Sequence, residues 1–346
     1  MPKHLFQPLI KFGKPLDMRS LNRDIGWRME IAEDQRRLAD ALRNQLNQQK
    51  YCPICGHTHV SRYVTVFDYP YDICESCGHV YCATPPKDDA VGNLYTSDSK
   101  CNSVQSKIYL DDGLFSKRIE AIARPKVNFV HNVMSSLKKT SYGKWIDIGS
   151  GAGEVLSACA DVGWDALGIE SDREECEFAQ LKGLNVINEY LSEGTFSTLL
   201  ENAQVVSCFN VLEHIADPLE FVKNIANVLD EGFLVFEVPR HPSLSSLSAE
   251  LFPDMACRHI YPPDHLHIFS EESINKLLAG TDFTVVGKWY FGQDFFDFIS
   301  SAGANQGIGS NSIWEEIASA APNIQQVIDE KGLSDTVIIV AYKDKK

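Results

Sequence analysis

From residue 144 onward, short apolar runs alternate with longer stretches whose apolar positions recur every third or fourth residue. The runs Lys144–Ile148, Ala166–Ile169, Asn185–Ile187, Val205–Phe209, Phe233–Val238, Thr284–Phe291 and Thr336–Tyr342 read as strands. Stretches starting at about Glu154 and Arg173, then Pro218–Leu229 and Glu271–Leu278, read as helices. Apolar strands separated by amphipathic helices predict an α/β fold: a seven-stranded, mostly parallel sheet with helices on both faces. A partly helical insertion at about 292–335 separates the last two strands.

The pattern before residue 144 is of another kind. Residues 1–50 begin as an irregular lead-in rich in Pro, Lys and Arg and turn periodic near Trp27, where Trp27, Ile31, Leu38, Leu42 and Leu46 share one face of an amphipathic helix. Residues 51–90 hold a cysteine-rich module with its exit in the Thr84–Asp89 run, and 91–125 read as a helical linker. The helical pattern from Lys107 to Leu137 is interrupted at Pro125. Residues 126–346 form the α/β domain.

Charge narrows the partners. With Lys+Arg 32 against Asp+Glu 47 the net charge is -15, which repels a phosphate backbone. Residues 1–50 carry a weak positive excess, too scattered for a binding arm. No nucleic acid partner is expected. No apolar run approaches the roughly 18 residues of a membrane span, and the start, with Lys3, His4 and Lys11, lacks a signal-peptide core. These features predict a cytoplasmic protein without a membrane partner.

Of ten cysteines, Cys101, Cys159, Cys176, Cys208 and Cys257 are scattered and read as ordinary fold residues. Cys52-Pro-Ile-Cys55-Gly and, after eighteen intervening residues, Cys74-Glu-Ser-Cys77-Gly repeat one design. Each places two thiolates on a tight turn, and the glycine permits its left-handed backbone. Two such turns complete a tetrahedral four-thiolate site in a zinc-ribbon-like module, with zinc the first choice and iron the alternative. Four protein ligands leave no open position, which favours a structural role. His57, His59, His79 and Cys82 are its neighbours.

The first strand of the α/β domain runs into Asp147-Ile-Gly149-Ser-Gly151-Ala-Gly153-Glu154, with glycine at every second position. Dinucleotide-binding turns use a Gly-x-Gly-x-x-Gly rhythm instead. The segment resembles the first motif of class I S-adenosylmethionine-dependent methyltransferases, and the resemblance covers roughly residues 126–346. It implies a Rossmann-like methyltransferase sheet, S-adenosylmethionine as cofactor, and a turn passing beneath the cofactor's methionine part, involving Asp147, Gly149, Gly151 and Gly153. It also implies that Glu170, at the end of the second strand, holds the ribose hydroxyls, both of which one carboxylate can accept. Among Asn188, Glu189 and Tyr190 after the third strand, Glu189 is the expected adenine contact.

The segment Asn210-Val-Leu-Glu213-His214-Ile-Ala-Asp217-Pro218 is similar to a Leu-Glu-His-x-x-Asp-Pro motif of quinone-biosynthesis O-methyltransferases and deoxysugar methyltransferases. That similarity puts Asn210 beside the cofactor and Glu213 and His214 at the acceptor pocket. A second cluster, Arg258 to Ser270, resembles a His-Leu-x-x-Phe-Ser segment and offers His265, with His259 and His267, as further candidates. The four-cysteine module ahead of this core resembles deoxysugar C-methyltransferases. The implied activity is methyl transfer to a hydroxyl or acidic carbon of a small molecule, with a sugar or nucleotide-linked sugar as the first expectation. Histidine's ordinary pKa of about 6.5 suits a general base, so His214 is the first candidate, with Glu213 as its partner and His265 beside them. An RNA methyltransferase with a zinc recognition module and a non-catalytic, cofactor-binding zinc scaffold are the other two classes.

Overall fold

The computed structural model describes residues 7–14, 16, 18–21, 25–87, 109–192, 194–255, 258–305 and 312–345. Lys3, His4, Cys101, Lys107, Cys257, the end of the Thr84–Asp89 run and the side chain of Trp27 lie outside the described residues. The strands are β1 (Leu9–Phe12), β2 (Val60–Val66), β3 (Tyr69–Cys74), β4 (Val80–Cys82), β5 (Lys144–Ile148) and β6 (Asp165–Glu170). They continue as β7 (Val186–Asn188), β8 (Ala203–Phe209), β9 (Gly232–Pro239), β10 (His267–Ile268), β11 (Thr284–Phe291) and β12 (Thr336–Lys343).

Eight strands make the large sheet, in the order β1-β11-β12-β9-β8-β5-β6-β7. Strands β5 to β9 pair parallel, and β12 runs antiparallel to both its neighbours. The eighth strand corrects the expected seven, and it comes from the stretch read as an irregular lead-in. All four residues of β1 are exposed, so no alternation of apolar and polar positions announces it. Backbone pairing with β11 holds it, and the Lys11 ammonium lies 3.5 Å from the Trp289 ring centroid.

The strands bury both faces because helices cover both. Trp145, Val205, Phe233, Val235 and Ile338 pack on one side with the helices Arg124–Ser136 and Glu154–Ala160. Ile146, Ile148, Val206, Leu234 and Phe236 pack on the other with the helices Pro218–Val228 and Glu271–Leu278. Two local readings need correction. The first long helix spans Ile25–Leu42, and Leu46 lies beyond it in a bridge to Pro86. Pro125 does not break the later helix; it sits in the first turn of Arg124–Ser136, where a missing N–H costs nothing, after one π-helical turn at Ile119–Ala123.

The cysteine module is built into the α/β domain. Its three strands join β10 in a second sheet, ordered β10-β4-β3-β2, and β10 lies more than 180 residues further along the chain than β4. Cys52, Ile54, Cys74, Cys77 and Tyr81 belong to the same buried cluster as Phe269, Phe236 and Val337. Among the described residues no helix is long and apolar enough to cross a membrane. Because one core serves both sheets, Phe269→Ala should lower stability by about 3–5 kcal/mol and shift a single denaturant transition. Urea unfolding followed by far-ultraviolet dichroism and tryptophan fluorescence checks this. Two separated transitions would contradict a shared core.

Candidate functional site

A cavity of about 520 Å³ opens at the carboxyl ends of β5, β6, β8 and β9. This is where strand order reverses: β5 is flanked by β6 on one side and β8 on the other, so the connections leaving the two neighbours diverge and leave a crevice.

The glycine turn forms one end. Gly149 and Gly151 have φ of 67° and 55°, a backbone region that β-branched side chains avoid. A Cβ on Gly149 would lie 2.6 Å from Val211 Cγ2. Gly153 serves another purpose: it does not line the cavity, and its absent Cβ leaves room for Leu184 and Ala179 under the following helix. Glu170 accepts the Gly151 amide at 2.7 Å and the Asp172 amide at 2.7 Å, which aims its carboxylate at the turn. Glu154, Glu170, Asp172 and Glu175 line this end, and burial raises the pKa of Glu170 and Glu175. Asp147 is buried in a chain in which Trp145 Nε1 donates to Ser207 Oγ at 2.7 Å and Ser207 Oγ donates to the Asp147 carboxyl at 2.5 Å. Burial pushes Asp147 up to about 7. Glu189, the expected adenine contact, is exposed and does not border the cavity; Tyr190 does.

The residues expected at the acceptor side gather at the other end. Asn210 follows β8 with φ of 56°, which asparagine tolerates, and its amide donates to the Glu237 carbonyl. Beyond it the Glu213 carboxylate is fully buried, with no hydrogen bond to any other described residue. Burial, with Glu237 nearby, pushes it up to about 8, so it is protonated near neutrality. His214 Nδ1 lies 2.9 Å from the Asp264 carbonyl, and His265 Nδ1 lies 3.0 Å from the His259 carbonyl. A carbonyl only accepts, so both Nδ1 atoms carry the proton and Nε2 is the basic nitrogen in each ring. The two rings meet edge to face with centroids 4.7 Å apart. One oxygen of Glu213 and one ring nitrogen of each histidine lie within 4.8 Å of one another. Burial lowers His214 to about 4, well under the ordinary value that made it attractive as a base.

Of the other two histidines, His259 borders the cavity and His267 does not. His267 Nε2 donates to the Ile215 carbonyl at 2.9 Å, and its Nδ1 lies 3.1 Å from His79 Nε2 in the cysteine module. The same module approaches the site through Tyr71, whose hydroxyl donates to the His265 carbonyl at 2.7 Å. Its four cysteine sulfurs lie within 4.8 Å of one another, with Cys52–Cys77 at 3.7 Å and Cys55–Cys74 at 3.5 Å.

A family model described as a methyltransferase domain matches residues 116–288. The chain belongs to this methyltransferase family. Among curated relatives, a ubiquinone biosynthesis O-methyltransferase of Vibrio parahaemolyticus is 26% identical over 152 residues, 42% of this chain and 65% of the relative. One from Aliivibrio fischeri is 31% identical over 98 residues, 27% and 42% of the two chains. The chain thus spans less than two thirds of the length of these relatives. Solved structures similar to it include magnesium protoporphyrin IX methyltransferase from Synechocystis PCC 6803 with bound SAH, at 14% identity, TM-score 0.46, covering 75% of this chain and 100% of that one. The plantazolicin methyltransferase BpumL in complex with SAH is 18% identical, TM-score 0.44, with coverage of 73% and 94%.

Several groups in the methyltransferase's cavity have no counterpart in the sequence reading: Lys14, Arg118, Lys126, Glu237 and Gln293. Lys126 Nζ and Glu237 Oε2 form a buried pair at 2.5 Å. They come from the linker side and from β9, and no local motif links positions so far apart. Glu213 supplies a test of the site's electrostatics. Its folded value of about 8 stands above the ordinary 4.5, so the folded chain keeps a proton that the unfolded chain releases. The stability this group contributes is therefore lost as pH rises from about 4.5 to 8. Glu213→Gln cannot ionise, so its melting temperature should gain on the wild type steadily across that window in paired thermal melts. A constant difference would contradict a buried, neutral carboxyl.

Proposed function

We propose that this methyltransferase transfers a methyl group from S-adenosylmethionine to a hydroxyl oxygen of a small molecule, with an acidic carbon as the alternative acceptor atom. The observation that carries this reading is one cavity lined both by the Gly149–Gly151 turn with Glu170 and by Glu213, His214 and His265. The residues fit the cofactor: Gly149 and Gly151 present backbone without side chains, and Glu170, held by the Gly151 and Asp172 amides and Ser171, keeps acceptor capacity on Oε2 for a ribose hydroxyl. S-adenosylmethionine supplies a methyl group made electrophilic by its sulfonium. The chain's own work is to orient the acceptor, exclude water and take a proton.

His214 takes that proton on Nε2. As an oxygen or carbon gains the methyl and loses its proton, the cavity holds one positive charge before and after. Protonating the buried imidazole therefore adds no net charge to the site, which offsets the burial that depresses its pKa. The curated relatives named as O-methyltransferases favour oxygen as acceptor. A sugar or nucleotide-linked sugar rests on the cysteine layout alone, whereas the names of the matched proteins speak of ubiquinone, protoporphyrin and plantazolicin.

The four cysteines, in this reading, hold one zinc ion. A tetrahedron with metal–sulfur bonds of about 2.3 Å has edges of about 3.8 Å, close to the observed separations, whereas a disulfide would need about 2 Å. The ion would be structural, tying two knuckles together under β10.

Three measurements test these points. In calorimetry, Gly151→Val should lose S-adenosylmethionine binding, since valine is strained at φ of 55°, and Glu170→Ala should weaken it moderately. Unchanged affinity in Glu170→Ala would displace the ribose site. His214→Gln should keep cofactor affinity and lower turnover by roughly 100-fold or more. With His214 neutral down to about 4, the acid limb of the wild-type rate should fall near that value and not at 6.5, and a limb at 6.5 absent from His214→Gln would contradict the burial argument. Metal analysis should find one ion per chain, lost in Cys52→Ser and Cys74→Ser together with a lower melting temperature. Full metal content in both variants would reject the ligand set.

A further inference from the structure

The methyl-transfer reading leaves the acceptor's own chemistry open, and the inference drawn here rests on that reading. The two ends of the cavity differ in their charged groups: Glu154, Glu170, Asp172 and Glu175 with Arg118 line the cofactor end, and Lys14, Lys126 and Arg258 with Glu237, Asp264 and Asp297 line the acceptor end. Two of the three cations at the acceptor end have acidic partners. Lys126 is 2.5 Å from Glu237, and Arg258 is 3.4 Å from Asp335, with Asp297 and Asp294 adding to the field that favours its charge.

Lys14 is different. Its ammonium lies 4.8 Å from the Phe291 ring centroid and 6.0 Å from that of Trp289, and it has no hydrogen bond or ion pair to any described residue. The charges it feels are Lys126, Arg258 and Lys11, which oppose it, and Glu237, whose Oε2 is already engaged by Lys126. Burial, reinforced by Lys126, holds its pKa well below the ordinary lysine value. Lys14 is half-buried at the cavity wall, and the two ring faces supply only part of what a counter-charge would.

The backbone nevertheless places Lys14 there firmly. Strand β1 pairs with β11, Gly13 turns the chain at φ of 79°, its amide donates to the Tyr290 carbonyl at 2.9 Å, and Trp289 Nε1 donates to its carbonyl at 2.9 Å. The exposed eighth strand thus has a task at its end: it delivers a lysine to the cavity. Arg118 also borders the cavity, at the glycine-turn end, where it bonds Glu154 at 2.5 Å and the Tyr109 carbonyl at 2.6 Å.

We propose that the acceptor carries an anionic group, a phosphate or a carboxylate, which Lys14 holds at this end of the cavity, while the atom to be methylated faces His214. Binding such a group gives the ammonium the counter-charge that no described residue supplies by hydrogen bond or ion pair.

Calorimetry on the full chain saturated with S-adenosylhomocysteine, near neutral pH, tests this with inorganic pyrophosphate and, separately, succinate as probes. At least one should bind saturably at one site per chain, and the tighter of the two distinguishes phosphate from carboxylate. Lys14→Met should weaken that binding by about tenfold or more, Lys14→Arg should restore it to within about threefold, and neither should alter affinity for S-adenosylhomocysteine. If Lys14→Met does not fold by circular dichroism, Lys14→Gln takes its place. No saturable binding of either anion, equal affinity in the Lys14→Met or Lys14→Gln protein, or a loss confined to S-adenosylhomocysteine would each overturn the proposal. Failure of S-adenosylhomocysteine to bind the wild type would instead overturn the methyl-transfer reading, and the two anion titrations repeated without it would still decide the role of Lys14.

Discussion

The carbonyl of Glu213 accepts the backbone amides of Leu266 and His267, at 2.6 and 3.3 Å, and much of the site follows from that junction. It joins the loop after β8 to the segment entering β10, two stretches about fifty residues apart in sequence. One consequence is that His214 and His265 meet edge to face in a single cavity. Another is that β10 lies where β4 can pair with it, which fastens the cysteine sheet to the methyltransferase core. The Ser270 hydroxyl donating to the Cys77 carbonyl and the His79–His267 contact repeat the same link from the cysteine side. The cysteine module is therefore tied to the segment that carries His265 and His267. Its distance from the glycine turn in sequence conceals this.

Burial sets the chemistry of those loops. In water Glu213 would be an anion and His214 would be half protonated near pH 6.5; in the cavity the acid is neutral up to about 8 and the imidazole is neutral down to about 4. The pair is thus uncharged over the whole neutral range, as the proposed role of a neutral proton acceptor beside a cationic cofactor requires. At the glycine turn Glu170 accepts the Gly151 and Asp172 amides, and at the far end Lys126 pairs with Glu237.

How much of this was legible in the chain depended on how local each feature is. The glycine turn, the residue ending β6, the Asn210–His214 segment and the paired cysteines are contiguous motifs, and the structure gathers Asp147, Gly149, Gly151, Glu170, Asn210, Glu213, His214 and His265 around one cavity. Gly153 and Glu189 fall outside it, since glycine spacing cannot separate packing from ligand contact and the short strand β7 does not announce which neighbour turns inward. Strand β1 was illegible because a fully exposed edge strand has no hydrophobic period. Lys14, Lys126 and Glu237 carry no local motif, and Arg258 only opens the Arg258–Ser270 cluster; the fold alone brings residues from the end of β1, the linker side, β9 and the loop before β10 to one cavity. The depressed His214 pKa was likewise invisible, because burial is a property of the assembled site.

In the proposed arrangement one cavity holds S-adenosylmethionine at the glycine turn and an acceptor at His214. A crystal structure of the full chain grown with S-adenosylhomocysteine tests it most directly. The account predicts density for the nucleoside against Glu170 and the Gly149–Gly151 turn, with the sulfur directed toward the wall formed by His214 and His265. Density for the cofactor elsewhere, or a sulfur turned away from that wall, would contradict it.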